Sequence, residues 1–225
     1  MGMNVKGFVM ASSGPEALGW FKEPIKNMDD FRKYRFRTPP GIPGQTYKDI
    51  GIASVSLSGG DILPALEKGT IDAAEWCCPK PDSVFGFQKV LKNYYLQGLH
   101  QNVVNGDIYI NGDVYNSLTD HQKYAMEVAS EAMITRNITN RAVENGKALI
   151  DLTENHGVKL WDTPADYFTE YMNAAQATLK KNAASNAFFK EVYEHMTAHA
   201  KIVVPFIAQM ETSDASIGTA FASQQ

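Results

Sequence analysis

The sequence predicts an α/β fold built on a mostly parallel sheet, followed by a long helix and a helical C-terminal region. Three observations support this fold class. Short apolar segments alternate with helix-compatible segments through the first half of the chain. Proline and glycine clusters separate these segments, because both residues stop regular structure. A helix-compatible stretch without proline then extends from residue 119 to residue 157. With 44% hydrophobic residues, the 225-residue chain has enough apolar side chains for a packed core.

The first half of the chain shows the alternation of strands and helices that is typical of parallel sheets. The segment PPGIPG at 39–44 follows one predicted strand, and Gly51 and Gly69 end two short predicted helices. Strands are expected at 5–10, 31–36, 54–57 and 71–76, and helices at 45–50, 61–69 and 82–95.

The second half is predicted to be mainly helical. Thr119 and Gln122 have the spacing of a capping box, which marks the start of a helix. Helix-compatible sequence continues from there to Gly157, a length of about 55 Å at the usual rise per residue. A short strand is expected at 158–161, and Pro164 takes the favoured first position of further helical sequence. One long helix after an α/β lobe is typical of a hinged protein with two lobes or of a dimer.

Charge and patterning exclude several classes of protein. The 21 Lys and Arg against 25 Asp and Glu give a net charge of −4, whereas nucleic-acid-binding proteins normally carry a basic excess. No run of about 18 apolar residues is present, so we expect no insertion into a membrane. The first residues lack the charged and apolar segments of a secretory signal, so none is expected in this chain. The common nucleotide-binding and hydrolase motifs are also absent.

Two groups of reactive side chains have both a chemical and an ordinary explanation. The adjacent Cys77 and Cys78, with His100, could supply a nucleophile and a base, but no third residue that would orient them is recognisable. Free cysteines more often fill semi-buried positions. His195 and His199 have the spacing of metal ligands on a helix, and two exposed histidines on a helix face are the alternative.

Polar residues at the ends of predicted strands point to a ligand site. Arg37 ends one strand, and Glu75 and Trp76 end another. Open α/β sheets bind ligands at the carboxyl ends of their strands. The guanidinium of Arg37 pairs well with a carboxylate, and a carboxylate next to a large ring, as in Glu75-Trp76, can hold a cation while the ring covers an apolar part of a ligand. Glu16, after the first strand, is the fourth candidate.

An ordered set of segments extends this hypothesis. GPEALGWF lies at 14–21, YRFR at 34–37, GDI at 60–62, IDAAEW at 71–76 and KNYY at 92–95. This set resembles the DctP-type solute-binding proteins of TRAP transporters, and is most similar to the branch associated with 2-oxoacids, lactate and related small organic acids. The resemblance covers most of the chain and is strongest between Gly14 and Gly98.

The resemblance implies a role for each candidate residue. In such proteins two α/β lobes close on a carboxylate, and a long helix spans both lobes. The arginine that pairs with the carboxylate falls on Arg37, and the Glu-Trp pair that contacts the cation and the substrate falls on Glu75 and Trp76. A polar residue that contacts both cation and substrate falls on Glu16, where many relatives carry glutamine. With a monocarboxylate bound, Glu16, Glu75 and Arg37 leave a charge of −2, which favours a divalent cation, Ca²⁺ rather than the alternative Na⁺.

The resemblance therefore predicts a periplasmic receptor without enzymatic activity. It would bind a small organic acid such as pyruvate or lactate and deliver it to the membrane subunits of a TRAP transporter. Residues 1–110 would form the ligand-binding lobe, and residues 111–225 the long spanning helix and a helical region that contributes to both lobes or to a homodimer. The N-terminal part of the other lobe is expected to be missing. The alternatives are a truncated ligand-sensing or structural relative, and an enzyme that uses Glu16 and Glu75 as an acid/base pair.

Overall fold

The computed structural model describes residues 2–222 of the chain. By its internal contacts the chain divides into two units, Met1–Ala175 and Gln176–Gln225. The first unit contains every strand of the described residues, and the second contains the end of one helix and the whole of the next. The expected division near residue 110, into a ligand-binding lobe and a helical region, stays a prediction.

The strands and helices follow one another closely along the first unit. The strands are β1 (Val5–Ser12), β2 (Gly19–Phe21), β3 (Arg35–Arg37), β4 (Ala53–Val55), β5 (Ala73–Ala74), β6 (Asn93–Tyr95), β7 (Asn105–Asn111) and β8 (Lys159–Trp161). The helices are α1 (Met28–Phe31), α2 (Ile42–Asp49), α3 (Gly59–Glu67), α4 (Pro79–Phe85), α5 (Gly112–Ser117), α6 (Asp120–Asn155), α7 (Ala165–Ser185) and α8 (Ala187–Ala222), with a 3-10 turn at Phe87–Lys89.

Six of these strands form one mixed sheet in the order β4-β3-β5-β2-β6-β8. Strand β3 lies parallel to both β4 and β5, and β6 lies parallel to β8. Only β2, between β5 and β6, runs antiparallel to its neighbours. Strands β1 and β7 form a separate antiparallel ribbon. The predicted α/β fold with a mostly parallel sheet is confirmed.

Both faces of the sheet are buried, because successive side chains of a strand point to opposite sides. Phe21 and Tyr95 pack into one apolar cluster, while their neighbours Trp20 and Tyr94 pack into the other. All four side chains are completely buried. A sheet that is packed on both faces provides a firm base for the polar residues at its edge.

Two of the predicted elements are wrong in part. The segment expected to be a strand at 31–36 starts as the end of α1, which Asn27 caps by accepting a hydrogen bond from the backbone N–H of Asp30. The helix expected at 82–95 ends at Gly86, whose positive φ of 85° closes α4. The chain then makes a 3-10 turn and enters β6, which lies between β2 and the edge strand β8.

Helix α6 confirms the prediction of a long helix after the first half of the chain. It is 36 residues long and begins with the expected capping box. The backbone N–H of Thr119 donates to Gln122 Oε1 at 2.9 Å, and the N–H of Gln122 donates to the Thr119 hydroxyl at 3.3 Å. The helix packs against β1 and α4. Its role in spanning two lobes stays a prediction.

Helix α8 forms most of the second unit and exposes large apolar side chains, including Phe188, Met196 and Phe206. His195 and His199 are also exposed on it, and no third metal-ligating side chain among the described residues lies with them. Across residues 2–222, no helix has both the length and the apolar character needed to cross a membrane.

Candidate functional site

The candidate site lies at one edge of the six-stranded sheet, where two parallel strands end side by side. Arg37 is the last residue of β3, and its register partner on β5 is Ala74. Glu75 follows Ala74 directly, so the two charged side chains start from neighbouring positions. Strand β2 runs in the opposite direction, so the segment that precedes it, including Glu16, reaches the same edge.

Arg37 and Glu75 form a buried ion pair. Arg37 Nη1 lies 2.5 Å from Glu75 Oε1 and also donates to the backbone carbonyl of Glu75 at 2.8 Å. Arg37 Nε donates to the carbonyl of Leu57 at 3.1 Å. Arg37 is 5% exposed and Glu75 is fully buried, so neither charge is screened by bulk water. Nη2 makes no hydrogen bond within the described part of the chain and remains available to a ligand.

Glu16 is the second buried carboxyl group of the site. The backbone N–H of Glu16 donates to the carbonyl of Gln101, and the next N–H, of Ala17, donates to the carbonyl of Cys77. These two bonds fix the segment before β2 against the segment that follows Glu75. Burial, together with the nearby charge of Glu75, raises the pKa of Glu16 to about 7.

His100 completes a cluster with the two glutamates. Its Nε2 lies 3.4 Å from Glu75 Oε2 and 3.8 Å from Glu16 Oε2. All three side chains are buried, and one ligand atom from each lies within 4.8 Å of the others. Within residues 2–222, neither these two oxygens nor either nitrogen of His100 has a hydrogen-bond partner.

Unpaired buried polar atoms are costly, and a cation placed among them would remove that cost. Two carboxylate oxygens and an imidazole nitrogen that converge in this way are a donor set for a metal ion. The cluster of Glu16, Glu75 and His100 therefore fits a cation on the chemistry of its own residues.

Trp76 lies beside the ion pair. The guanidinium carbon of Arg37 lies 5.0 Å from the centre of the Trp76 ring. The centres of the Trp76 and Phe85 rings are 4.8 Å apart. Gly59 makes room for this ring: a Cβ there would lie 2.7 Å from Trp76 Cη2. Sequence reasoning did not assign Gly59 this packing role.

Asp82 holds the chain segment that carries Glu75 and Trp76, although no sequence motif points to it. Its Oδ1 accepts hydrogen bonds from the backbone N–H groups of Cys77 and Cys78. Its Oδ2 accepts from Trp20 Nε1 and from the Tyr94 hydroxyl, each at 2.9 Å. Burial raises the pKa of Asp82 to about 7, against the opposing effect of these hydrogen bonds.

The structure thus brings together all four side chains selected from the sequence, Glu16, Arg37, Glu75 and Trp76. It adds His100, which the sequence suggested only as a partner for the cysteines. Cys77 and Cys78 are free thiols, half-buried and buried respectively, as expected for cysteines that fill semi-buried positions.

Comparison with known sequences identifies related proteins. The profile of bacterial extracellular solute-binding proteins of family 7, DctP, matches residues 2–186. A monocarboxylate 2-oxoacid-binding periplasmic protein of Nostoc sp. strain PCC 7120 is 35% identical over an alignment of 205 positions, which covers 88% of this chain and 54% of that protein. The chain thus spans about half the length of this curated relative.

Comparison with solved structures finds the same fold. A TRAP transporter solute-binding protein of Bordetella bronchiseptica RB50, a mixed-occupancy dimer with copurified calcium and picolinate, has a TM-score of 0.90 at 28% identity and covers 99% of this chain and 66% of that one. A TRAP periplasmic solute-binding protein of Colwellia psychrerythraea with bound calcium and pyruvate has a TM-score of 0.84 at 24% identity, over 96% of this chain and 65% of that one.

Proposed function

The chain belongs to the DctP family of bacterial extracellular solute-binding proteins, and we propose that it binds a small monocarboxylate such as pyruvate or lactate together with a cation. Members of this family are periplasmic receptors of TRAP transporters and not enzymes. The observation that carries the proposal is the buried cluster of Glu16, Glu75 and His100 next to the guanidinium of Arg37.

The cation is proposed to lie among Glu16, Glu75 and His100. A bound monocarboxylate, two ionised glutamates and Arg37 sum to a charge of −2, which a divalent cation neutralises and Na⁺ does not. Carboxylate oxygens suit Ca²⁺. The solute-binding protein of Bordetella bronchiseptica, with copurified calcium and picolinate, supports a cation at such a site. Trp76 is proposed as a further contact of both cation and substrate.

Cation and ligand are proposed to bind as a coupled pair, since Arg37 is paired with Glu75. A cation that coordinates Glu75 competes for the negative charge that Arg37 now neutralises. The guanidinium can then donate hydrogen bonds from Nη2, and in part from Nη1, to the carboxylate of the ligand. A pair of parallel hydrogen bonds from one guanidinium to one carboxylate is a strong and oriented contact.

The proposal extends to location and partners. We propose that the protein works in the periplasm and hands its ligand to TRAP membrane subunits. A homodimer stays a prediction, and the exposed apolar side chains of α8, such as Phe188 and Phe206, are consistent with a surface that a second copy covers.

Removal of the cation is the direct test of the proposed site. Calorimetric titration with pyruvate should show binding in Ca²⁺ and a loss of affinity of more than about tenfold in a chelator, because the site then lacks the charge that balances both glutamates. Glu75→Gln should bind weakly in both conditions, whereas Glu23→Gln, which removes an exposed carboxylate, should behave like the unaltered protein. Equal affinity with and without the chelator would contradict the proposal.

Cation binding should also depend on pH. Glu16 must be ionised to bind a cation, and its pKa is raised to about 7. A proton therefore competes with the cation below pH 7, so Ca²⁺ affinity should decrease as the pH falls from 8 to 6, by up to about tenfold per unit below the pKa. Charges near Glu16 are those of Glu75, His100 and Arg141.

Glu16→Gln separates the contribution of Glu16 from that of its neighbours. This variant keeps Glu75 and His100 but has no proton to lose at position 16, so its Ca²⁺ affinity should vary less with pH in titrations at fixed ionic strength. An equally steep dependence in the variant would assign the effect to another group.

A further inference from the structure

The two adjacent cysteines lie directly after Trp76 and have an unusual environment. Cys77 Sγ and Cys78 Sγ are 3.0 Å apart. Arg141 of helix α6 points one terminal nitrogen at both sulfurs, with Nη2 at 3.1 Å from Cys77 Sγ and 2.6 Å from Cys78 Sγ. If the two cysteines only filled space as small apolar side chains, their sulfurs would need no contact with each other or with a guanidinium.

Small molecules have a route to this pair. Cys77 is half-buried, and Cys78, although buried, lines a cavity of about 270 Å³ together with Pro15 and Asn145. A second cavity of about 340 Å³ is lined by Arg141 and by the turn at Ser13. A low-molecular-weight disulfide can therefore approach the sulfurs from the side of α6.

We propose that Cys77 and Cys78 are a redox-active dithiol that closes reversibly to a disulfide by exchange with a small-molecule disulfide. Cys78, whose Sγ is the nearer of the two to Arg141 Nη2, makes the first attack on the reagent. The attack forms a mixed disulfide and releases one thiol of the reagent. Cys77 then attacks Cys78 Sγ, which forms the Cys77–Cys78 bond and releases the second thiol. Two electrons pass from the dithiol to the reagent, and each thiol released takes up a proton.

The bond that forms is expected to be strained and therefore easily reduced. The Cα atoms of adjacent residues are about 3.8 Å apart, whereas ordinary disulfides join Cα atoms that are at least about 4.4 Å apart. The peptide unit between the two cysteines is also held at both ends. Its carbonyl accepts from Ala17 N, and its N–H donates to Asp82 Oδ1. Ring closure must strain these bonds, one of which fixes the residue next to Glu16.

The test is to incubate the reduced full chain with oxidised glutathione, quench with acid and measure the intact mass. The unaltered protein should lose the mass of two hydrogen atoms and retain no glutathione, and dithiothreitol should restore both thiols. Cys77→Ser should stop at the first step and carry one glutathione on Cys78. Cys78→Ser cannot close the ring and should carry at most one glutathione, on Cys77.

Arg141→Met tests the role of the guanidinium and should slow ring closure by about tenfold or more. Arg136→Met is the matched control, since Arg136 is exposed on the same helix and should leave the rate unchanged. Circular dichroism establishes that each variant is folded. The proposal is overturned if the unaltered protein keeps both thiols, accumulates glutathione without closing the ring, or forms only disulfide-linked pairs of chains.

Discussion

Arg37→Ala is expected to weaken pyruvate binding by two to three orders of magnitude. Arg37 is 5% exposed, and its guanidinium is the cationic group in direct contact with Glu75. Truncating one partner of a buried, hydrogen-bonded charge pair costs about 2–5 kcal/mol, much of it from the charge that is left unpaired. In this variant both Glu75 and the ligand carboxylate lose the positive charge that balances them. Calorimetry in saturating Ca²⁺ measures the effect.

Two further variants separate binding from folding. Arg37→Lys keeps the positive charge that Glu75 requires but cannot donate two parallel hydrogen bonds, so it should fold and still bind at least about tenfold more weakly. Arg35→Ala removes the other arginine of β3, which pairs with Asp72 at the surface, and should leave ligand affinity unchanged. Ligand affinity close to normal in Arg37→Ala would show that the carboxylate binds elsewhere.

Glu16, Arg37, Glu75 and Trp76 are recognisable in the sequence because they lie at or after the ends of predicted strands. Arg37 ends β3 and Glu75 directly follows β5, and the parallel pairing of these strands places both at one edge of the sheet. An error in strand length leaves this placement unchanged: the predicted strand covers 31–36, whereas β3 is Arg35–Arg37. Only the final residue of each strand matters for the placement of the charges.

His100 does not stand out in the sequence because the strand that precedes it, β6, falls within a segment predicted to be helical. With 82–95 expected to be helical, nothing placed residue 100 at the edge of the sheet. Strand β6 is three residues long and buried on both faces, so it has neither the length nor the alternation that identifies a strand in a sequence. Gly86 was the available signal, since a glycine there can end α4 and leave the remainder free to form a strand.

Asn27 was a second available signal, because an asparagine three residues before Asp30 is a common helix start. Asp82 offered none. Its carboxylate reaches back to two backbone N–H groups and across to side chains of β2 and β6, contacts that depend on the folded sheet. Periodicity and capping rules concern local structure, so they do not identify a residue such as Asp82, whose role depends on contacts across the folded sheet.

Asp82→Ala is expected to lower the free energy of unfolding by about 3 kcal/mol or more. The change leaves four donors without an acceptor: the side chains of Trp20 and Tyr94 and the backbone N–H groups of Cys77 and Cys78. A buried donor that loses its partner costs about 1–3 kcal/mol. The loss exceeds what is gained by no longer burying the carboxyl group, whose raised pKa of about 7 reflects that burial.

Urea denaturation measures this effect, and Asp61→Ala is its matched control. Asp61 occupies the first turn of α3 as Asp82 does that of α4, but it is exposed, so its removal should change stability by less than about 0.5 kcal/mol. The variant at Asp82 should also bind pyruvate and Ca²⁺ more weakly, since the segment from Glu75 to Cys78 loses its fixed position. Similar stabilities for the two variants would mean that the four donors find other acceptors, and that Asp82 does not position the site.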